Sequence, residues 1–212
     1  MTTGEHFADD ARRGVAALAR PSARREKRLP GEEGIWVFVL GDMTVFALFF
    51  GTLIYTRAED PEVFRHGQES LSLGLGVLNT LLLLTSSLLV VLALHDVRSG
   101  HGGAGGRSAK LLAGALACGL GFAAVKGVEY STKFSDGISP STDDFYTYYF
   151  MFTGIHLLHV LIGCVVLWAL IRIARRDGAD PAGHRHMESG ATFWHMVDLL
   201  WVVLFPLFYL TH

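Results

Sequence analysis

Phe145 to Ile171 reads FYTYYFMFTGIHLLHVLIGCVVLWALI, a run without a single Asp, Glu, Lys or Arg. A bilayer is crossed by roughly 20 apolar residues, so this run predicts a membrane-spanning helix. His156 and His159 lie near its middle at i,i+3 and share one face. Polar side chains at bilayer depth turn toward protein or water rather than lipid. The helix therefore needs partner helices, and the fold is expected to be organised around it.

The partners are legible on either side. Apolar runs mark four more helices, Ile35–Tyr55, Leu71–Leu94, Ala109–Tyr130 and Gly190–Leu210. Half of the 212 residues are hydrophobic. Five spans leave too few residues for a second, soluble domain. The reading is an all-α integral membrane protein: a basic tail over 1–34, expected to be flexible, then a five-helix bundle over 35–212. The tail does not read as a signal peptide, because the apolar run after it is too long and lacks a small-residue cleavage site. Cys118 and Cys164 both fall inside apolar runs and read as small hydrophobes, not as a disulfide or metal pair.

Orientation follows from the basic residues. Arg12, Arg13, Arg20, Arg24, Arg25, Lys27 and Arg28 precede the first span. Arg98, Arg107 and Lys110 lie between the second and third, and Arg172, Arg175, Arg176 and Arg185 between the fourth and fifth. The opposite side holds only Arg57, Arg65 and Lys133. Lys and Arg favour the cytoplasmic side, which predicts a cytoplasmic amino terminus and a periplasmic carboxyl terminus.

The polar residues within the spans are the candidate functional groups. At about 1.5 Å per residue, Asp42, His159, His195 and Asp198 fall about 7–18 Å from the inner helix ends. That shared depth predicts one polar layer. A charged residue at the centre of a span costs about 2.5–3.5 kcal/mol on insertion scales, so none of these is expected to face lipid. Lys126 and Glu129, at i,i+3 in the third span, form a second layer nearer the outer end. Lys126 is expected to snorkel outward, whereas Glu129 turns inward and accepts a hydrogen bond from His156. Trp36, Asn79, Lys126, Trp194 and Trp201 are candidates for lipid or partner contact. Three roles are open to the polar set: fastening helices together, contacting a lipid or a partner subunit, or conducting protons or binding metal. His156, His159 and His195 supply three imidazoles, but the paired Glu-x-x-His pattern of a bundle di-iron site is missing from the spans. His184 and His186 read as solvated loop residues. No nucleotide-binding, nucleophile-elbow or zincin motif occurs.

Several stretches carry a resemblance. They are Gly127-Val-Glu-Tyr130, Ser135-Asp-Gly-Ile-Ser139, Phe150-Met-Phe-Thr-Gly-Ile-His-Leu-Leu-His-Val-Leu-Ile-Gly163 and Glu188-Ser-Gly-Ala-Thr-Phe-Trp-His-Met-Val-Asp-Leu-Leu-Trp201, with Leu78-Asn-Thr80 and Ser86-Ser87 upstream. In residue type, order and spacing these resemble subunit III of the haem-copper oxidases, from about Pro30 to His212 and in its five-helix form. Leu29-Pro-Gly-Glu-Glu-Gly-Ile-Trp36 and Gly41-Asp-Met-Thr-Val-Phe46 are most similar to the branch encoded beside bacterial nitric oxide reductases. Gly74 stands where many family members carry a glutamate.

The resemblance implies a non-catalytic subunit of a respiratory complex in the bacterial inner membrane. Such a subunit packs against a catalytic haem-containing partner, holds phospholipid in a cleft and supports sustained proton uptake. It implies no directly bound cofactor, with haem and copper or non-haem iron confined to the partner, and no nucleic acid. A stand-alone proton or solute transporter is the alternative, and a His-based membrane metalloenzyme a third reading. The inverted internal repeats that would favour a transporter are not evident.

Overall fold

The computed structural model describes residues 33–99, 106–176 and 181–210. Six helices follow in order: α1 (Glu33–Glu59), α2 (Pro61–Glu69), α3 (Leu73–Arg98), α4 (Arg107–Ser135), α5 (Asp144–Arg176) and α6 (Pro181–Tyr209). All but α2 are long and apolar enough to cross a membrane. The fold is all-helical, with five candidate spans. The tail anticipated over 1–34 lies almost entirely outside the described residues.

The helices run past the ends of the apolar runs because the apolar criterion marks only the hydrocarbon segment. The largest extension is in α6. It begins at Pro181, within what the sequence suggests is a loop, and Pro suits the first helical turn. The short α2 has no apolar run to announce it. It starts at Pro61 one residue after α1, buries Phe64 and exposes Glu62, Arg65 and Glu69.

Specific residues fix two of the turns. α4 stops at Gly137, whose φ of 78° is in the left-handed region. The Gly137 amide donates to Phe134 O and the Ile138 amide to Lys133 O, the paired bonds of a Schellman cap. α5 then starts with Asp143 as N-cap, its Oδ1 accepting from the Tyr146 amide at 2.9 Å.

α3, α4, α5 and α6 form a closed ring, each packed on two neighbours, with α1 laid against α6 and α2 across the end of α5. The helix at the centre is α6, not α5. Buried residues make up 56% of its most apolar window, against 39% in α5 and 11% in α1. Trp194 of α6 explains how this is achieved. Its ring enters the space that a side chain at Gly119 of α4 or Gly163 of α5 would occupy; a Cβ there would lie 2.8 or 2.6 Å from it. Small residues at such crossings are how helices approach closely without a hydrophobic driving force.

Outward-facing positions are large and apolar, among them Leu81, Leu84, Leu88 and Val91 on α3 and Leu158, Leu161 and Val165 on α5. An apolar surface of this extent suits lipid, not water. One end of the bundle carries Arg98, Arg107, Arg172 and Arg185. The other carries Glu59, Asp60, Glu62, Glu69, Asp136 and Asp144. These are called the basic and acidic ends below.

Candidate functional site

The polar side chains inside the bundle form three groups. In the first, Asp42 of α1 meets His159 of α5, with Oδ1 3.3 Å from Nε2. His159 Nδ1 donates to the carbonyl of Ile155 at 2.9 Å. Phe46 and Phe152 close over this seam.

In the second, His195 of α6 places Nδ1 2.7 Å from Ser87 Oγ of α3. Asp198, one turn along, is buried against the same serine. The single layer expected from shared depth is thus two separate pairs, one between α1 and α5 and one between α6 and α3. No hydrogen bond or ion pair joins them among the described residues. Depth along a helix does not fix azimuth, which explains the difference.

The third group sits toward the acidic end. Lys126 of α4 is 0% exposed and turns into the bundle rather than snorkelling out. Its ammonium donates to Glu129 Oε2 at 2.9 Å, Tyr209 Oη at 3.0 Å and Tyr149 Oη at 3.2 Å. These use all three of its donors. The rings of Trp201, Tyr149, Tyr209 and Tyr130 stand 5.0–5.9 Å away, within cation–π range. Tyr209 in turn donates to Glu129 Oε1 at 2.7 Å. The chain itself supplies everything that water would give this cation, so reaching outward gains nothing.

Glu129 does turn inward, but its partners are Lys126 and Tyr209, not His156. His156 packs beside Phe122, with ring centroids 5.5 Å apart, and under Trp201 at 5.3 Å. Glu129 lies seven residues beyond Phe122, about 10 Å along the helix axis. That offset puts the carboxylate out of reach. Both nitrogens of His156 are buried without a hydrogen-bond partner.

The residues expected to contact lipid or a partner also lie elsewhere. Trp194, Trp201 and Asn79 are buried in the core, and only Trp36 is half-buried near a helix end. Trp201 Nε1 donates to Thr80 of α3 at 3.0 Å. The described residues bring no three His, Cys, Asp or Glu side chains together as a metal would need.

Sequence reasoning missed the phenols of Tyr149 and Tyr209, and Ser87 as a partner for α6. One signal was available. A buried Lys–Glu pair needs neutral donors and acceptors around it, and tyrosines near the same ends of the neighbouring spans are the side chains able to supply them. It also missed a fastening at the acidic end, where Lys133 donates to the Ser70 carbonyl at 2.7 Å and Ser70 Oγ lies 2.7 Å from Tyr146 Oη.

Each polar group joins different helices of one bundle, and a model of known sequences matches that bundle. The model is that of cytochrome c oxidase subunit III, and it covers residues 31–211. The chain belongs to this family. Among curated members, the cytochrome bo(3) ubiquinol oxidase subunit 3 of Pseudomonas aeruginosa is 29% identical over 182 residues, covering 84% of this chain and 83% of that protein. The probable quinol oxidase subunit 3 of Staphylococcus aureus strain USA300 is 27% identical over 184 residues, covering 84% and 87%. The subunit III motif residues therefore have defined places here. The first His of the α5 motif, His156, packs among rings, the second, His159, pairs with α1, and the Trp-His-x-x-Asp run of α6 supplies the core tryptophan and the link to α3.

Proposed function

We propose that this subunit III chain is the accessory, non-catalytic member of a haem-copper oxidase superfamily complex, assembled with a haem-containing catalytic subunit in the bacterial inner membrane. The amino terminus is cytoplasmic and the carboxyl terminus periplasmic, a placement that the concentration of arginines at the basic end supports. Haem, and copper or non-haem iron, belong to the partner. The observation that carries the reading is the cross-linking pattern of the polar groups. Asp42–His159 ties α1 to α5, Ser87–His195 ties α3 to α6, and Glu129–Tyr209 ties α4 to α6. Groups spent on one another in this way support a scaffold.

Phospholipid is part of the same proposal. A groove of about 440 Å³ runs between α1, α5 and α6 at the basic end, lined by Phe38, Ile162, Val166, Leu170 and Phe193, with His186 and Ser189 at its rim. An acyl chain suits the apolar walls and a headgroup the polar rim. The partner is a nitric oxide reductase catalytic subunit on the resemblance at Leu29–Trp36 and Gly41–Phe46, and a quinol oxidase catalytic subunit on the likeness to the quinol oxidase relatives. Copper or non-haem iron beside haem in the purified complex distinguishes these.

The test is Asp198→Leu within the complex. Turnover per assembled haem stays near wild type while the yield of assembled complex falls. Loss of all turnover in a fully assembled complex would instead assign Asp198 a conducting or catalytic role.

A further inference from the structure

The hydrogen bonds of His159 fix its protons. Nδ1 faces the Ile155 carbonyl at 2.9 Å. A carbonyl only accepts, so Nδ1 carries the N–H. Nε2, 3.3 Å from Asp42 Oδ1, is then the only nitrogen left for the carboxyl group. In a neutral ring this nitrogen presents a lone pair, which an ionised carboxylate repels. The contact is attractive only with one more proton, on Nε2 or on the carboxyl. With that proton the pair is neutral overall. Without it, or with two, a net charge is left at bilayer depth. His195 imposes no such count, because its partner Ser87 is a hydroxyl that donates or accepts.

The pair also sits where a proton has mechanical consequences. α1 is the least buried span. Its buried stripe from Ile35 to Leu53 contains Asp42 as its one ionisable residue. Other ties across the seam to α5, among the described residues, include the packing of Phe46, Phe49 and Phe50 on Phe152, that of Phe46 on the His159 ring, and a Thr56–Tyr148 hydroxyl contact of 2.9 Å at the acidic end. The side chains of Asp42 and His159 keep 13% and 12% exposure, so the seam is not sealed. The Oδ2 atom of Asp42 is buried without a partner. The other His and Asp side chains in the middle of α5 and α6 are His156 of α5, one turn away and enclosed by Phe122 and Trp201, and His195 and Asp198 of α6, which turn to Ser87 on α3.

We propose that Asp42 and His159 form a one-proton binding site in the α1–α5 seam, and that the bound proton holds α1 seated on the bundle. Seating and proton binding are then linked. The seated helix binds the proton more tightly, and the proton favours the seated helix. This goes beyond the accessory role and does not depend on which catalytic subunit is the partner.

The test uses the full chain in lipid nanodiscs with ¹⁵N-labelled histidine. His159 is expected to keep Nδ1 protonated and to share one further proton with Asp42, lost in a single step as pH rises. Spin labels at the exposed positions Leu48 and Leu158, with both native cysteines replaced, report the seam. Their distance distribution is expected to broaden at the same midpoint. Asp42→Asn gives a control, because its amide N–H donates to Nε2 without titrating; in that variant the distance is expected to stay narrow at every pH. A bare Nε2 beside an ionised Asp42 with α1 still seated would overturn the proposal. So would a wild-type distance unchanged while the shared proton is lost. The wild-type titration decides the matter even if the variant fails to fold.

Discussion

Tyr209 and Glu129 are 80 residues apart, and the phenol of one donates to the carboxylate of the other at 2.7 Å. This bond fastens the last turn of α6 to α4 beside the buried ion pair of Lys126 and Glu129. Tyr209→Phe keeps the ring and removes the donor, leaving Glu129 with Lys126 alone. A buried group that loses its partner costs about 1–3 kcal/mol, so thermal unfolding in detergent is expected to come earlier by a corresponding amount. An unchanged midpoint would mean that water replaces the phenol.

The Lys126–Glu129 pair predicts strong non-additivity. Lys126→Met alone strands a carboxylate, and Glu129→Leu alone strands an ammonium. Breaking a buried pair in this way costs about 3–5 kcal/mol. The double substitution strands neither charge and is expected to cost far less than the sum of the two. A double-mutant cycle on unfolding midpoints measures this. Additive effects would show that the two side chains do not act as a pair.

Two glycines on exposed and buried faces should respond oppositely. A Cβ at Gly163 would lie 2.6 Å from the Trp194 ring, whereas one at Gly127 meets nothing within 4 Å. Gly163→Ala is expected to destabilise by about 1–3 kcal/mol through overpacking. Gly127→Ala is expected to be neutral or mildly stabilising, because alanine favours helix. Trp194 fluorescence should shift in the first variant only.

At the acidic end, Arg65 donates to Glu62 at 2.9 Å. That hydrogen bond, then the guanidinium charge, holds the Glu62 carboxyl below its usual range. A carboxyl depressed in the folded state stabilises above its ordinary value and loses that contribution as pH falls through the lowered one. Amide protection in α2 should therefore decline slightly in acid. Glu62→Gln should remove that dependence while leaving protection at neutral pH nearly unchanged, since exposed pairs contribute little.

How much of this was legible in the sequence depends on what lipid does to the signal. The five spans were readable because length and apolarity alone decide them. The central helix was not. In a bilayer the outer face of a helix is as apolar as its inner face, so periodicity does not separate core from lipid contact. Trp194 and Trp201 read like interface residues for that reason; the glycines facing Trp194, and Thr80 and Lys126 against Trp201, show otherwise. The polar residues were identifiable as inward-facing from their cost in lipid. Their partners depend on azimuth and on phenols far away in the chain. The Lys126 side chain illustrates the limit: snorkelling is the default for a lysine near a helix end, and Tyr149, Tyr209 and Glu129 together override it.

The central claim is that this chain is one subunit of a haem-containing complex. Affinity capture of the full chain from its native membranes in mild detergent, followed by an optical spectrum and subunit analysis of the captured material, tests it most directly. The account predicts haem bands and a second, larger multi-span subunit in constant ratio to this chain. A homogeneous preparation of the chain alone, with neither haem nor a membrane partner, would contradict it.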